Sequence, residues 1–232
     1  WNWTVPAHWV RMNGRVFHTC PQAGVCATVC YAKFGTYRFP TVKAKHLRNL
    51  ERVVNDLNQW KSDMVAELHQ KKFRPSGTEL DLPVSENTWL ENWRLRGGQA
   101  VRVHDAGDFF SEKYLWAWFD IARCVPDVLF YAYTKEVSLL LAQRNMPENV
   151  HVLFSTGGLE DHLIPEGARH AEVFPTADEI DGAGYMSQEG NDLLAIFLPT
   201  DKVGIPANRL PEANKIMAGR TFSSMAVRSD QK

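Results

Sequence analysis

The chain has 232 residues, 44% hydrophobic, 11% aromatic and 23% charged, with a formal net charge of −1. That composition excludes a wholly disordered chain and supplies enough apolar surface for a sizeable core. No stretch nears the ~18 apolar residues of a membrane span, and residues 1–10 lack the basic start and apolar run of a secretory leader, so the expected setting is cytoplasmic and reducing, with no membrane.

Read as one domain, the chain falls into five regions: a Cys-loop region (1–40), a basic helical segment (41–74), an inserted loop (75–99), a run of βα repeats (100–200) and a C-terminal tail (201–232). Residues 1–40 are irregular, punctuated by Pro6, Pro21 and Pro40 and by Gly14, Gly24 and Gly35, with a short strand over Arg15–His18. Residues 41–72 predict one or two helices, with Leu47, Leu50, Val54 and Leu57, then Trp60, Met64 and Leu68, along one face. A short helix is expected at 86–94.

The clearest unit follows. Residues 100–104 (AVRVH) have β character, and Asp105 to Asp108 make a turn. Ser111 is placed to cap a helix whose Leu115, Trp118, Phe119 and Ala122 share a face. Residues 128–133 (VLFYAY) form the next strand. Strand, helix, strand calls for a parallel sheet and a right-handed crossover. A helix at 137–144, a strand at Val150–Ser155 and further strands at 172–174 and 193–198 continue the alternation, and Pro211–Met217 is a last helix. With a first strand beside the Cys loop, this gives about six βα units. A closed eight-unit barrel needs about 250 residues, so the expected fold is α/β, a partial and open (β/α) barrel.

Charge is unevenly spread. Residues 32–75 hold ten Lys and Arg against four Asp and Glu, whereas residues 158–201 hold one against ten. The basic segment suits either a polyanion such as nucleic acid or an ordinary solvated helix face.

Three of the four cysteines fall within eleven residues, in the pattern C-x5-C-x3-C: Cys20, Cys26 and Cys30. Thiolates suit an iron–sulfur cluster or zinc. Three of them on one short loop can hold three irons of a [4Fe–4S] cube and leave the fourth iron open. A structural zinc site wants four ligands, for which His18 or the distant His104 are available, but the C-x2-C knuckle is missing. Three buried free thiols are the remaining reading. Cys124, late in an amphipathic helix, reads as a small core residue.

Sites in parallel α/β folds gather at the carboxyl ends of strands. Three polar groups stand there: His104, Asp105, Gly107 and Asp108; Tyr133, Thr134 and Lys135; and Ser155, Thr156, Gly157 and Gly158. Asp105 and Asp108 offer acceptors for an amino group or ribose, and Gly107 permits close backbone approach. Thr134 and Ser155 offer hydroxyls, and Lys135 offers a cation for a carboxylate or phosphate. Ordinary turn chemistry accounts for any one of them alone.

The segments CPQAGVCATVCYAKFGTYRFPTV (20–42), VRVHDAGDFFSEKYLWAWFDIA (101–122) and PDVLFYAYTKE (126–136) resemble the phage gene product 88 domain family. The likeness covers roughly residues 1–175 and implies a phage-encoded protein of the host cytoplasm. More distantly, the arrangement is similar to radical S-adenosylmethionine (SAM) enzymes, with a three-Cys loop after the first strand and a Gly/acidic motif ending the second. That likeness implies Cys20, Cys26 and Cys30 as cluster ligands, Ala106, Gly107 and Asp108 as the Gly/acidic motif, and Thr134 and Ser155 as later cofactor contacts. Three functions stay open: a radical SAM-like enzyme acting on a nucleotide, nucleic acid or other small substrate; a non-catalytic module, stabilised by an Fe–S cluster or zinc, that recognises nucleic acid or a host protein; and a non-SAM enzyme whose open iron is a Lewis acid. The residues assign no catalytic side chain.

Overall fold

A computed structural model of the chain describes residues 1–207 and 211–226. Its main sheet has seven strands: β1 (Asn2–Trp3), β4 (Gln99–Val103), β5 (Val128–Thr134), β6 (Val150–Ser155), β7 (His170–Phe174), β8 (Met186–Ser187) and β9 (Lys202–Pro206). They lie in the order β1-β4-β5-β6-β7-β9-β8, and every pairing is parallel. β2 (Trp9–Met12) and β3 (Arg15–His18) form a separate antiparallel hairpin. Asn13 and Gly14, at φ 50° and 76°, turn that hairpin, as a tight two-residue connection requires.

Helices α1 (Cys26–Val29), α2 (Pro40–Asn55), α3 (Leu57–Leu68), α4 (Thr88–Leu95) and α5 (Glu112–Cys124) precede α6 (Val137–Leu141), α7 (Asp178–Gly182), α8 (Leu194–Phe197), α9 (Pro211–Met217) and α10 (Phe222–Ala226). Ser111 does cap α5, accepting from Tyr114 N at 3.3 Å, and Leu115, Trp118, Phe119 and Ala122 are buried as the periodicity predicts. Asp56 ends α2 and caps α3 through Gln59 N, which splits the long amphipathic run in two.

Alternation along the strands sends side chains to two different cores. Val101, Val103, Phe130 and Ala132 pack with Trp60 of α3 and Trp118 of α5. Leu129, Tyr131, Leu153, Ala171 and Val203 face the other way, onto Leu90 and Trp93 of α4 and Ile196 and Phe197 of α8. The next positions along this second row are Tyr133, Ser155, Val173 and Ile205. They leave the packed core and line a cavity at the carboxyl ends of the strands.

Several expectations are corrected. Arg15–His18 is a strand, but it belongs to the hairpin; the sheet begins at Asn2–Trp3. The run 193–198 contains helix α8 (Leu194–Phe197), not a strand. An apolar run this short has no period to distinguish the two; Asn191, accepting from Leu193 N at 3.0 Å, forms a turn just before the helix. The strand Lys202–Pro206 escaped notice because Gly204 and Pro206 depress its β character; Gly204 is needed there because a Cβ would strike the Ile180 side chain. Cys124 is exposed rather than a core residue. The sheet is open: among the described residues no pairing joins β1 to β8. α4 and α8 cover one face of it.

Candidate functional site

Cys20, Cys26 and Cys30 line one cavity of about 480 Å³, the size of a small-molecule pocket. The chain between them is held to the strand ends from several sides. The hairpin supplies the His8 carbonyl, which accepts from the backbone N–H groups of Thr19 and Cys20 at 3.0 and 3.3 Å. Asp108 N donates to Thr19 O at 2.8 Å, Cys26 N to Gly157 O at 3.1 Å and Leu159 N to Gln22 O at 3.0 Å. Gln22 N donates to the Glu136 carboxyl at 2.9 Å.

Glycines make this docking possible. Gly24 sits at φ +50°, and a Cβ there would lie 2.8 Å from Gly157 O and from the Gly158 carbonyl carbon. The Gly157 and Gly158 N–H groups are held by the Asp161 carboxylate at 2.6 and 2.8 Å. The two backbones touch where no side chain fits. Gly157 and Gly158 thus cradle the Cys loop.

Cys30 is buried and Cys20 and Cys26 are half-buried. Burial first, then the negative charges of Asp108, Cys26 and Cys30, pushes the Cys20 thiol well up. Burial and then Cys26 push Cys30 up to about 11, with Lys33 and Lys135 among the groups pulling it back. The thiols therefore feel one another through the cavity, and in the metal-free protein Cys20 and Cys30 are protonated at neutral pH. Among the described residues no group of three or more His, Cys, Asp or Glu side chains is arranged to hold a metal ion.

The strand-end residues divide into those that face the cavity and those that build it. Asp108 is 6% exposed. One carboxylate oxygen accepts from the Thr134 hydroxyl at 2.6 Å and from Phe109 N at 2.8 Å, and the other from Lys135 N at 2.9 Å. Burial raises its pKa against those donors. Asp108 borders the cavity, but its acceptor capacity is largely taken by protein, and Thr134 lies behind it, outside the lining. Lys135 Nζ is fixed by Ser155 Oγ at 2.7 Å, Thr156 O at 2.8 Å and Ser155 O at 3.2 Å, which also engages Ser155. Gly107, at φ +90°, has no room for a Cβ against Val5. Asp105 does face the cavity; it accepts from the Tyr37 hydroxyl and from Asn2 Nδ2 at 3.5 Å, and stands 3.8 Å from Arg102.

Arg102, Gln188, Asp192, Met217 and Phe222 also line the cavity, without a motif in the sequence to mark them. Arg102 pairs with Asp192, stacks its guanidinium 5.2 Å from the Tyr133 ring centre and keeps a buried Nε with no hydrogen-bond partner among the described residues. The Tyr133 hydroxyl donates to Gln188. Met217 and Phe222 close the apolar side against Val29 and Ala207. The one available sequence signal was a charge, Arg102, inside an otherwise apolar strand. His104, 3% exposed, bonds Tyr114 Oη through Nε2 at 3.0 Å, and burial lowers its pKa to about 3, so the ring is a neutral core group.

The family model described as Gene product 88 matches residues 1–221. The chain belongs to the Gene product 88 family. It is 28% identical over 207 residues to the Gene 88 protein of Mycobacterium phage L5, a match covering 85% of this chain and 70% of that protein. No solved structure matches the chain. Among the described residues no helix is long and apolar enough to cross a membrane.

Proposed function

We propose that this chain binds a [4Fe–4S] cluster through Cys20, Cys26 and Cys30 and is a radical SAM-like enzyme acting on a nucleotide, nucleic acid or other small substrate. The observation that carries the reading is the placement of all three thiols around one cavity at the carboxyl ends of a parallel sheet. The fourth cysteine, Cys124, is exposed at the end of α5 and outside that cavity, so a cube held here keeps one iron open. A cavity of about 480 Å³ has room for such a group and for a small molecule beside it.

When bound, the cluster would supply one-electron chemistry and an iron site for the SAM amino and carboxylate groups. The protein's own part is positioning and exclusion of water. Asp108 locks the start of the Cys loop to the end of β5, and the Gly24, Gly157 and Gly158 contact sets its height. Val29, Met217 and Phe222 wall the site with apolar surface. Asp105, Arg102, Tyr133, Gln188 and Asp192 are the polar groups that a ligand in the same cavity would meet. The nucleic-acid option draws on the basic segment, where Arg38, Lys43, Lys45 and Arg48 are exposed.

Anaerobic purification tests the reading. A brown protein with about four irons and matching sulfide per chain supports it, and Cys26→Ala should lose the colour. A colourless protein carrying one zinc overturns it in favour of a zinc-stabilised module. With cluster in hand, SAM and dithionite should yield 5′-deoxyadenosine; an intact cluster whose EPR signal ignores SAM rejects the SAM part and leaves Lewis-acid chemistry. A DNA or RNA affinity without salt dependence would remove nucleic acid from the substrate list.

A further inference from the structure

Lys135 is a buried cation of unusual placement. The residue is 7% exposed. Its ammonium donates to three neutral oxygens, Ser155 Oγ, Ser155 O and Thr156 O, at 2.7 to 3.2 Å. An ammonium has three donors, so none is left to reach a ligand. Its side chain is gripped as well: the position a Gly158 Cβ would occupy is 3.0 Å from Lys135 Cβ, and the Phe222 ring centre lies 5.8 Å from Nζ. No carboxylate stands within ion-pair distance among the described residues; the ion pairs are made by other Lys and Arg side chains.

A buried charge surrounded only by neutral acceptors is costly unless a negative group nearby offsets it. Asp108 contributes, since it receives the Lys135 backbone N–H and lies in electrostatic reach of its ammonium. Asp161 contributes as well, with its carboxylate on the Gly157 and Gly158 N–H groups and in electrostatic reach of Lys135, and the cavity-lining sulfurs would add further negative charge once they ligate iron. Lys135 and Cys30 line the same cavity.

We infer that Lys135 is a fixed electrostatic partner of the thiolate-held group, which raises its reduction potential without touching it or the substrate. The inference rests on the cluster reading above. One-electron reduction adds one negative charge to the site, and a cation that cannot move away stabilises the reduced form more than the oxidised one. Because Nζ is buried, dissolved ions screen the effect little.

The test is a dithionite titration of the reconstituted full-length protein, followed by EPR, for wild type, Lys135→Met, Lys135→Gln and Ser155→Ala. Both neutral variants should keep their iron and sulfide and reduce at lower potential than wild type, by the same shift at low and high salt. Ser155→Ala, which keeps every charge, should shift the potential by less than either neutral variant. An unchanged or raised potential in a cluster-bearing Lys135→Met overturns the inference. If the neutral variants lose the cluster, Lys135→Arg decides: retention shows that charge is required, and loss shows a purely steric role and overturns it. A wild-type protein that takes up no cluster removes the reading underneath, a result told apart by its iron content.

Discussion

Thr134 Oγ1 donates to Asp108 Oδ1 at 2.6 Å, within a network that leaves the carboxylate 6% exposed. The residue that the sequence offers most readily as a ligand contact is thus the clamp between the end of β5 and the start of the Cys loop. Asp108→Asn should therefore act on stability and loop position. The amide would set an N–H₂ against either the Lys135 N–H or the Thr134 and Phe109 donors. Loss of about 2–3 kcal/mol is expected, because a buried donor is left facing a donor, measured as a lower urea midpoint with unchanged slope. A variant as stable as wild type would show that the network does not form.

Gly24→Ala separates loop docking from folding of the sheet. The added methyl meets Gly157 and Gly158 backbone at 2.8 Å, in a left-handed conformation that L side chains disfavour. The cost should be about 1–3 kcal/mol, and iron uptake should fall while far-UV circular dichroism stays near wild type. Gly167→Ala, also at positive φ (+74°) but with open space around it, is the control and should leave iron uptake intact. Equal uptake by Gly24→Ala and wild type would disprove the close contact.

The thiols should react unequally in metal-free protein. With Cys30 at about 11, about a thousandth of it is thiolate at pH 8, and thiolate is the reactive form. Cys20 is raised as well, by burial and by Asp108, whereas Cys124 is exposed. Brief iodoacetamide treatment and peptide mass spectrometry should find Cys124 labelled well ahead of Cys20 and Cys30. Labelling of Cys30 at the rate of Cys124 would contradict its burial in the cavity wall.

Glu136 gives stability a dependence on pH. Burial, then the charge of Asp108, raises its carboxyl from 4.5 to about 8. Between those values the folded state holds a proton that the unfolded state has released, so this group's contribution declines as pH rises from the ordinary carboxyl range to about 8. Glu136→Gln can still accept from Gln22 N and cannot ionise. Its stability relative to wild type should increase from pH 5 to pH 8, read from urea midpoints; a constant difference across that window would refute the shift. His104 works in the opposite sense: with its pKa lowered from 6.5 to about 3, wild type should lose stability as pH falls below 6.5, a slope that His104→Gln should reduce.

Elements whose pattern is local were legible in the chain. α5 needed only Ser111 and four apolar residues at helical spacing, β5 announced itself as an apolar run between turn residues, and β6 as a β-type run interrupted only by His151. The three-Cys loop was legible too, since spacing alone sets how closely thiols can gather. Ambiguity began where periodicity gave no answer: the run 193–198 was equally apolar as strand or helix, and Gly204 disguised β9 until Ile180 was seen to occupy the space of its missing Cβ.

The sequence by itself determined that three thiols, a run of βα elements and polar strand ends would occur together, because those features depend on residues near one another in the chain. Tertiary structure alone decided which polar groups face the cavity. Asp108 is engaged by Phe109, Thr134 and Lys135 and the Lys135 ammonium by Ser155 and Thr156, partners fixed by the parallel order of β4, β5 and β6. Arg102 meets Asp192 from 90 residues away, because the segment after β8 crosses the inner face of an open sheet. Such pairings depend on strand order and crossover, and no local pattern of residues encodes them.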